Sequence, residues 1–395
     1  MAALPDHPPF YPPTPMRVAL VHIKHAASGG VEAYLTNLAR HLAQAGHEVV
    51  IICNRHGEAP HPGVRFVRLR PWHFGGATKL WAFAKAVERH VARVRYEVVY
   101  SLGKTWSHDL IRMGGGCHQT YLDLVAGTER QRFPPSLWLW LKDRLALGIE
   151  ARGVAPANCR LVITNSEMVK RDVCARHNLP PEHVQVIHNG VDGVRFHPRH
   201  RAEAGARLRQ ECGFTAEHQV LLFLGSGYTR KGLDLILRAL PALLKRRPTV
   251  RLLVVGYDSS LARYRALAQE LGVAPQVCFL GGRGDAPVCY GAADLYVLPT
   301  RYDPFANSTL EALASGLPVI TSDSNGGAEV VTLAVGEVIA YQDLAARLGE
   351  VMYAWSDPQR LAQARADARA VAERHPLQEK LKAAVAELEH LAARR

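Results

Sequence analysis

The most restrictive feature of this sequence is a strand–helix–strand pattern near its beginning. Residues 16–23 form an apolar run, residues 31–45 place apolar side chains at helical spacing, and residues 48–53 form a second apolar run. Two buried strands joined by a helix make a βαβ unit, whose strands pair in parallel. The sequence therefore predicts an α/β fold that opens with a doubly wound sheet.

The same alternation returns more regularly in the second half, from the apolar run at 219–226 onwards. A chain of 395 residues exceeds the size at which one core stops growing, so two domains are expected. Ligands of such sheets bind beyond the carboxyl ends of the strands, which predicts a site in the cleft between the domains. We predict a Pro-rich disordered tail, two Rossmann-like domains and a closing C-terminal helix, at residues 1–15, 16–200, 201–370 and 371–395.

The charge of the chain is uneven. Residues 1–200 contain 25 Lys/Arg against 15 Asp/Glu, a net +10, whereas residues 201–395 contain 23 against 21, a net +2. This excess predicts an acidic partner for the first half: a phosphorylated glycolipid, an anionic membrane surface or nucleic acid. The seven cysteines include no C-x-x-C pair, which favours reduced thiols in a cytosolic protein. Residues 1–15 lack the apolar stretch of a signal peptide, so we expect a disordered tail there, and no apolar run in the sequence is long enough to predict a membrane span.

The segment LGSGYTRKG, at 224–232, joins a predicted strand to a predicted helix. It is not a dinucleotide fingerprint, because Arg230 stands where the third glycine belongs, and it is not a Walker loop, because Leu233 follows Gly232. What remains is a glycine-rich loop at a helix N-terminus with two cations, Arg230 and Lys231, which favours a phosphate. Two solvated charges at a helix start are the alternative.

The segment RYDPFANSTLEALASGLPVITSDSNGG, from 301 to 327, contains a second helix start. Asn307, Ser308 and Thr309 are N-cap residue types, and their backbone amides would form another anion site. Asp303 and Glu311 flank this start and lie at most about 12 Å apart at helical rise. Such a separation suits two parts of one extended ligand. For Glu311 by itself, complementation of the helix dipole is the simpler interpretation.

Three other segments carry weaker signals. Gly29 and Gly30 form the first βα turn, where a ligand can approach the backbone, although an ordinary tight turn is by itself the simpler explanation. His118 follows three glycines and suits either a polar ligand or a structural role. Residues 134–153 interleave tryptophan and leucine with basic residues, as in an interfacial amphipathic helix or, more commonly, a core helix. The sequence contains no D-x-D pair, zinc-spaced cluster or G-x-S-x-G elbow, so it predicts no metal site.

Taken together, these motifs resemble glycosyltransferase family 4, whose GT-B fold consists of two Rossmann-like doubly wound domains facing a central cleft. The resemblance rests on the order of five segments and extends over nearly the whole chain from Met16: VIHNGVD, LGSGYTRKG, VVGYDSS, FLGGRGD and RYDPFANSTLEALASGLPVITSDSNGG. Within the family, the chain is most similar to bacterial lipopolysaccharide core glycosyltransferases. The motifs identify the family but not the sugar.

The resemblance implies four catalytic residues. The acidic pair of the family falls on Asp303, for hydroxyls of the donor sugar, and on Glu311, for the donor ribose; Asp303 is one methylene shorter than the usual glutamate. Lys231 matches the phosphate-binding lysine, and His118 matches a position near the sugar. The other donor-binding residues implied are those of the diphosphate loops and the base-holding segment: Gly29, Gly30, Arg230, Gly281, Arg283, Ala306, Asn307, Ser308 and Thr309.

The activity implied is retaining transfer of a hexose or related sugar from a nucleoside-diphosphate sugar to a hydroxyl of a saccharide acceptor. Lipopolysaccharide core or another cell-envelope glycolipid is the expected acceptor, held by the first domain, and no metal, other cofactor or nucleic acid is expected. The expected location is cytoplasmic, with peripheral contact to the anionic inner membrane. Two alternatives use the same scaffold: a sugar-nucleotide epimerase of the GT-B fold, and a non-catalytic nucleotide-sugar-binding protein.

Overall fold

The computed structural model describes residues 15–25, 29–126 and 137–394. The tail predicted at 1–15 therefore lies, apart from Pro15, outside the described residues. Within them, the first domain has a parallel sheet in the order β3-β2-β1-β4-β5-β6-β7. Its strands are β1 (Arg17–Val21), β2 (Glu48–Cys53), β3 (Val64–Arg68), β4 (Val98–Ser101), β5 (Leu110–Arg112), β6 (Leu161–Thr164) and β7 (Val184–Val186).

Helices cover this sheet on both faces, which explains why its central strands are apolar throughout rather than alternating. In β1 and β2, each residue after the first is buried. The described helices are α1 (Gly30–Gln44), α2 (Gly75–Val91), α3 (His118–Tyr121), α4 (Leu137–Val154) and α5 (Glu167–His177). A π-helical turn, Leu122–Ala126, follows α3.

The second domain repeats this plan with a parallel sheet in the order β10-β9-β8-β11-β12-β13. Its strands are β8 (Gln219–Leu224), β9 (Val250–Val255), β10 (Val277–Gly281), β11 (Leu295–Leu298), β12 (Val319–Ser322) and β13 (Gly336–Ile339). Its helices are α6 (Ala204–Glu211), α7 (Tyr228–Lys231), α8 (Leu233–Arg246), α9 (Leu261–Glu270), α10 (Ala286–Gly291), α11 (Asn307–Ala314), α12 (Leu344–Trp355) and α13 (Pro358–Glu373). The two doubly wound domains confirm the predicted fold class.

The last helix, α14 (Leu377–Ala393), returns to the first domain. Its buried face, which includes Leu381, Ala384 and Leu388, packs in the same core as the strands around β1. The chain therefore crosses between the domains twice. The crossings run side by side, because the amide of Val191 donates to the His375 carbonyl at 2.9 Å. The predicted boundary at 371 remains a prediction; the final helix itself begins at Leu377.

The arginine-rich connector between the domains, which contains Arg201 and Arg209, is held to the second domain by one buried acid. Asp294, at the start of β11, accepts hydrogen bonds from Arg201 at 2.5 Å, from Arg209 at 2.5 Å and from Arg365 at 2.9 Å. The Asp294 carboxylate is buried, and although burial opposes its ionisation, Arg201 and Arg209 hold its pKa below the ordinary value. The arginine-rich connector is therefore an ordered part of the second domain.

Candidate active site

Both sheets direct the carboxyl ends of their strands toward the interdomain cleft. Ser166, after β6, donates to the carbonyl of Pro304, after β11, at 2.8 Å. Asn189, after β7, donates to Asn307 Oδ1 at 2.6 Å. Glu329 also caps the N-terminus of α5 across the cleft, because its carboxylate accepts hydrogen bonds from the backbone amides of Glu167 and Met168. The strand ends of one domain therefore meet those of the other, as the sequence predicted.

The predicted cations Arg230 and Lys231 converge on the predicted acid Asp303. Lys231 Nζ donates to Asp303 Oδ2 at 2.5 Å, and Arg230 Nη1 donates to the same oxygen at 2.7 Å. Lys231 and Asp303 are each 7% exposed, so they form a buried ion pair. The sequence predicted the three residues as donor-site residues, but not their mutual contact.

The electrostatics of this cluster leave one positive charge in excess. Burial would raise the pKa of Asp303, but Lys231 and Arg230 outweigh burial and hold it below the ordinary value. Burial lowers the pKa of Lys231 in spite of the attraction of Asp303. Two cations share the Asp303 carboxylate, and the Arg230 side chain, which is 29% exposed, remains accessible to an additional anion.

Glycines shape the loop that carries the two cations. Gly227, with φ 77°, precedes the four-residue helix α7, and Gly232, with φ 79°, separates α7 from α8. A Cβ atom on Gly232 would overlap the carbonyl oxygen of Pro299, so only glycine fits where the loop packs beyond β11. Arg230 and Lys231 thus lie one short turn before the long helix, not in its first turn.

Glu311 lies on α11 and is half-buried. The hydroxyl of Tyr290 donates to Glu311 Oε2 at 2.8 Å. Burial raises the pKa of Glu311 above the ordinary value, although the hydrogen bond from Tyr290 and the charges of Arg195 and Lys231 oppose it. Glu311 also favours the charged form of Lys231, as Asp303 does. Both acids of the predicted pair therefore act on one ammonium group.

The start of α11 supplies backbone donors at the same edge of the sheet. One of the three predicted amides is engaged within the protein, since Thr309 donates to the Ala306 carbonyl at 2.9 Å; the amide of Ala306 also donates, to Asn325 Oδ1 at 3.1 Å. In the part of the chain that the structure describes, no acceptor contacts the amides of Asn307 and Ser308. These two amides are the donors that α11 can offer to an anion.

The first-domain glycine turn faces this helix start. Gly29, with φ 119°, is the N-cap of α1, and a Cβ atom there would overlap the Glu32 carboxylate. A Cβ atom on Gly30 would lie 3.6 Å from Asn307 Nδ2, so the turn approaches α11 across the cleft. Gly29, Gly30 and the free α11 amides therefore border the same space, whereas Ser28 lies outside the described residues.

The predicted base-holding segment follows β10. Gly281 has φ 71°, and Arg283 forms two hydrogen bonds with the Asp285 carboxylate, at 2.8 and 2.6 Å. The exposed side chain of Tyr257 lies next to this segment, because a Cβ atom on Gly282 would contact Tyr257 Cβ at 3.8 Å. Tyr257 was not predicted, and its exposed side chain places an aromatic residue beside the glycine loop.

His118 lies on the first-domain side, where its ring Nε2 and Asp143 Oδ1 are 3.0 Å apart. Burial lowers the pKa of His118, and Lys104 lowers it further, although Asp143 opposes both. The ring is therefore neutral near pH 7, and with Nε2–H donated to Asp143 its Nδ1 is an acceptor. A Cβ atom on Gly116 would overlap the Tyr302 hydroxyl, so the loop before His118 packs against the residue preceding Asp303.

Comparison with known proteins identifies the family that shares this arrangement. Residues 28–195 match the family described as Glycosyltransferase Family 4, and residues 206–371 match Glycosyl transferases group 1. A D-inositol 3-phosphate glycosyltransferase from Mycobacterium sp. (strain KMS) is 30% identical over 355 residues, which cover 80% of this chain and 76% of that protein. This chain is a family 4 glycosyltransferase.

Solved structures agree with the fold of this glycosyltransferase. WaaG, a glycosyltransferase involved in lipopolysaccharide biosynthesis, superposes with a TM-score of 0.77 and 23% identity, over 93% of this chain and 98% of its own. Anabaena Alr3699/HepE in complex with UDP-glucose superposes with a TM-score of 0.72 and 19% identity, over 95% of this chain and 100% of its own. The predicted GT-B fold and the predicted family are both confirmed.

Among the described residues of the glycosyltransferase, one group has the ligand types of a metal site. A sulfur of Cys117, a carboxylate oxygen of Glu150 and a ring nitrogen of His177 lie within 4.8 Å of one another. Lys104 Nζ already donates to Glu150 at 2.5 Å, and burial raises the pKa of the Cys117 thiol far above its ordinary value. The one carboxylate of the group is thus already engaged by a lysine. The prediction that the reaction needs no metal remains a prediction.

Sequence analysis missed the residues that connect the domains of the glycosyltransferase. Arg112, buried at the end of β5, donates to Asn189 Oδ1 at 2.8 Å, and its guanidinium lies 4.1 Å from the ring centroid of Tyr34. Asn189 in turn donates to Asn307, so a first-domain cation is connected to the start of α11. An arginine that ends an apolar strand is the signal that could have indicated Arg112.

None of the glycosyltransferase's described helices has the length and apolarity that crossing a bilayer requires.

Proposed function

We propose that this glycosyltransferase transfers a hexose or related sugar, with retention of configuration, from a nucleoside-diphosphate sugar to a hydroxyl of a saccharide acceptor. The observation that supports this most directly is the cluster of Arg230 and Lys231 on Asp303. It combines a surplus positive charge with two unengaged amides at the start of α11, at one edge of a Rossmann-like sheet. A diphosphate is a ligand group that binds both to cationic side chains and to backbone amides at a helix start.

The donor is proposed to span the second-domain side of the cleft. Its diphosphate would contact Lys231, Arg230 and the amides of Asn307 and Ser308, with Gly29 and Gly30 closing over it from the first domain. The Glu311 carboxylate would accept hydrogen bonds from ribose hydroxyls, and the base would lie between the glycine segment at 281–284 and the Tyr257 ring. HepE, which shares the fold, has been solved with UDP-glucose, and this supports the class of donor.

Asp303 is proposed to hold the donor sugar while it keeps the two cations in place. Only its Oδ2 atom receives the hydrogen bonds from Arg230 and Lys231, which leaves acceptor capacity at Oδ1 for a sugar hydroxyl. Because aspartate is one methylene shorter than glutamate, a sugar hydroxyl that contacts Asp303 must approach closer to the backbone. The identity of the sugar is therefore proposed to depend on this side chain.

The chemical step is proposed to rely on charge stabilisation at the leaving group. As the bond from the anomeric carbon to the diphosphate oxygen breaks, negative charge grows on the diphosphate, and preorganised cations and amides stabilise it. The acceptor hydroxyl attacks from the same face, forms the new glycosidic bond and gives its proton to the departing diphosphate. Contact between the domains, through Ser166–Pro304 and Asn189–Asn307, would exclude water that otherwise hydrolyses the donor. No metal is required in this scheme.

The acceptor is proposed to bind on the first-domain side, near His118. The neutral ring, oriented by Asp143, offers an acceptor nitrogen to a hydroxyl of the donor sugar or of the acceptor. The similarity to WaaG, together with the basic first half, favours lipopolysaccharide core or another cell-envelope glycolipid. For the same reasons we propose a cytoplasmic location with peripheral contact to the anionic inner membrane, and no nucleic acid as a partner.

A panel of nucleoside-diphosphate sugars tests this proposal. The donor should raise the melting temperature of the native protein, because it binds only the folded form, and it should not do so for Lys231→Ala. Incubation of that donor with and without saccharide acceptors then separates transfer from epimerisation, which needs no acceptor. Stabilisation by no member of the panel, or an epimerised donor formed in the absence of acceptor, would overturn the proposal.

A further inference from the structure

One face of the first domain exposes a concentration of large apolar side chains. It lies where the starts of α2 and α4 come together and contains Trp72, Phe74, Trp81, Leu137, Trp138 and Trp140, which we call the aromatic face. Trp72 is 83% exposed and Leu137 is 76% exposed, whereas side chains of these types are usually buried. Ring contacts connect three of these side chains, since the Phe74 centroid lies 6.0 Å from that of Trp72 and 6.5 Å from that of Trp138.

Basic residues accompany the aromatic face. From Trp72 to Trp81, the segment that contributes three of its members, the chain has one lysine, Lys79, and no Asp or Glu. On α4, Lys142 and Arg144 are exposed, and the Arg144 guanidinium lies 5.6 Å from the centroid of the Trp140 ring. The one acid among them, Asp143, is buried and contacts His118. The residues next to the members of the face in the chain therefore include three cations and no exposed acid.

We propose that the aromatic face docks onto the surface of an anionic lipid bilayer. Tryptophan rings prefer the boundary between hydrocarbon and headgroups, and neighbouring Lys/Arg side chains are attracted to anionic lipids. The charge of the whole molecule orients it the same way, because the first half carries net +10 and the second half net +2. A second copy of the chain fits less well, because a two-fold contact would bring the same cations of both copies together.

Docking in this way would place the acceptor side of the cleft next to the lipid. Asp143, which contacts the His118 ring, lies three residues after Trp140, a rise of about 4.5 Å along α4. This consequence rests on the proposed function, since it matters only if the acceptor binds near His118. Attachment to the bilayer does not rest on it, because lipid binding is measured without donor or acceptor.

Vesicle flotation of the full-length chain tests the proposal, with phosphatidylcholine vesicles compared with vesicles that also contain phosphatidylglycerol. The protein should float with the anionic vesicles at low salt and separate from them at high salt. Of the six tryptophans, Trp72, Trp81, Trp138 and Trp140 belong to the aromatic face, so binding should also shift tryptophan emission to the blue. The double variant Trp138→Ser/Trp140→Ser should bind at least about tenfold more weakly.

Two matched controls distinguish binding by the aromatic face from non-specific hydrophobic adsorption and from non-specific attraction of positive charge. Leu333→Ser removes an equally exposed apolar side chain from the second domain and should leave binding unchanged. Lys142→Glu and Arg144→Glu should each weaken binding by about fivefold or more, whereas Lys245→Glu, at an exposed second-domain site, should have a smaller effect. Circular dichroism and melting curves verify that each variant is folded.

Three results would overturn the proposal. They are no flotation with anionic vesicles at low salt, equal flotation of the wild type and the double tryptophan variant, and a wild-type dimer that the same variant converts to monomer. The last result would assign the aromatic face to a second copy of the chain. Sugar transfer to a soluble acceptor by a variant that has lost flotation would leave the proposed reaction intact, so the reaction and the docking fail independently, and only the proposed peripheral membrane contact falls with the docking.

Discussion

Lys231 donates a 2.5 Å hydrogen bond to Asp303, 72 positions later in the chain, and both residues are buried. The contact joins a residue proposed for the diphosphate to one proposed for the sugar. It keeps the cation in place before any ligand arrives, so a donor meets a preorganised site. It also means that neither residue can be changed without altering the charge state of the other.

We expect Lys231→Ala to lower kcat/KM for sugar transfer by about a hundredfold, because it removes one preorganised charge from the leaving diphosphate. Steady-state kinetics with the stabilising donor measure this. Lys245→Ala, at an exposed position on α8, is the matched control and should keep normal turnover. Unchanged transfer by a folded Lys231→Ala protein would contradict the assigned role.

Donor binding should depend on pH through Glu311. The pKa of Glu311 is raised, so its carboxylate becomes protonated at a higher pH than that of an exposed glutamate. The donor KM should therefore rise as pH falls through this range. Glu311→Gln should have a raised KM with little of this pH dependence. Equal pH profiles of KM for both proteins would refute this dependence on Glu311.

The raised pKa of Glu311 also connects this residue to stability. The folded state binds the Glu311 proton more tightly than the unfolded state does. The contribution of Glu311 to stability is therefore present at low pH and is lost as pH rises through the raised pKa.

Transfer should survive a chelator. Arg230, Lys231 and two amides supply the charge that other enzymes obtain from a divalent ion, so activity after dialysis against EDTA should equal the untreated rate within error. Adding back Mg²⁺ or Mn²⁺ in a titration is the control. Strict dependence on either ion would exclude the charge scheme proposed here.

Asp294→Asn should destabilise the second domain. Removing one charge from a buried cluster leaves three arginines without their shared carboxylate, which should lower the free energy of unfolding by about 3 kcal/mol. Because the pKa of Asp294 is lowered, the wild type gains this stability above the unfolded pKa and loses it as pH falls through the folded one. Denaturant unfolding measures the change. Glu350→Gln, in an exposed pair with Arg246, is the control and should cost less than about 1 kcal/mol.

Tyr257→Ala should raise the donor KM by about tenfold if the exposed ring stacks on the base. Tyr257→Phe preserves the ring and should behave like the wild type, which distinguishes stacking from a hydrogen bond of the hydroxyl. Competition with the free nucleoside diphosphate provides a second measurement, because its affinity should fall in parallel with that of the donor. An unaltered KM for Tyr257→Ala would place the base elsewhere.

Much of the fold could be predicted from periodicity, and the exceptions have physical reasons. The long buried strand β8, for example, was predicted as an apolar run at 219–226 and extends over Gln219–Leu224. The three-residue β5 and the strand β13, which begins at Gly336, are too short or too polar to give such a run. An amphipathic helix does not encode its partner, so nothing in 371–395 predicted that α14 packs on the first domain.

For the site, motifs predicted positions but not contacts. The sequence identified Asp303 and Lys231 separately, yet their ion pair depends on how β8 and β11 lie side by side in the sheet. Arg112 and Asn189 come from different strands and acquire their roles only when the domains meet. The helix at 134–153 received two interpretations. Burial of Ala146, Ile149 and Val154 agrees with a core helix, whereas its first turn is exposed and its contact with a membrane remains a proposal.

The neighbouring crossings at Val191 and His375 make the second domain an insertion within the first. Its entry and exit points already lie within one hydrogen bond of each other, so everything between them forms a cassette with adjacent ends. Exchange of that cassette for its equivalent from a relative should alter which activated sugar is consumed while the recipient chain keeps its own acceptor.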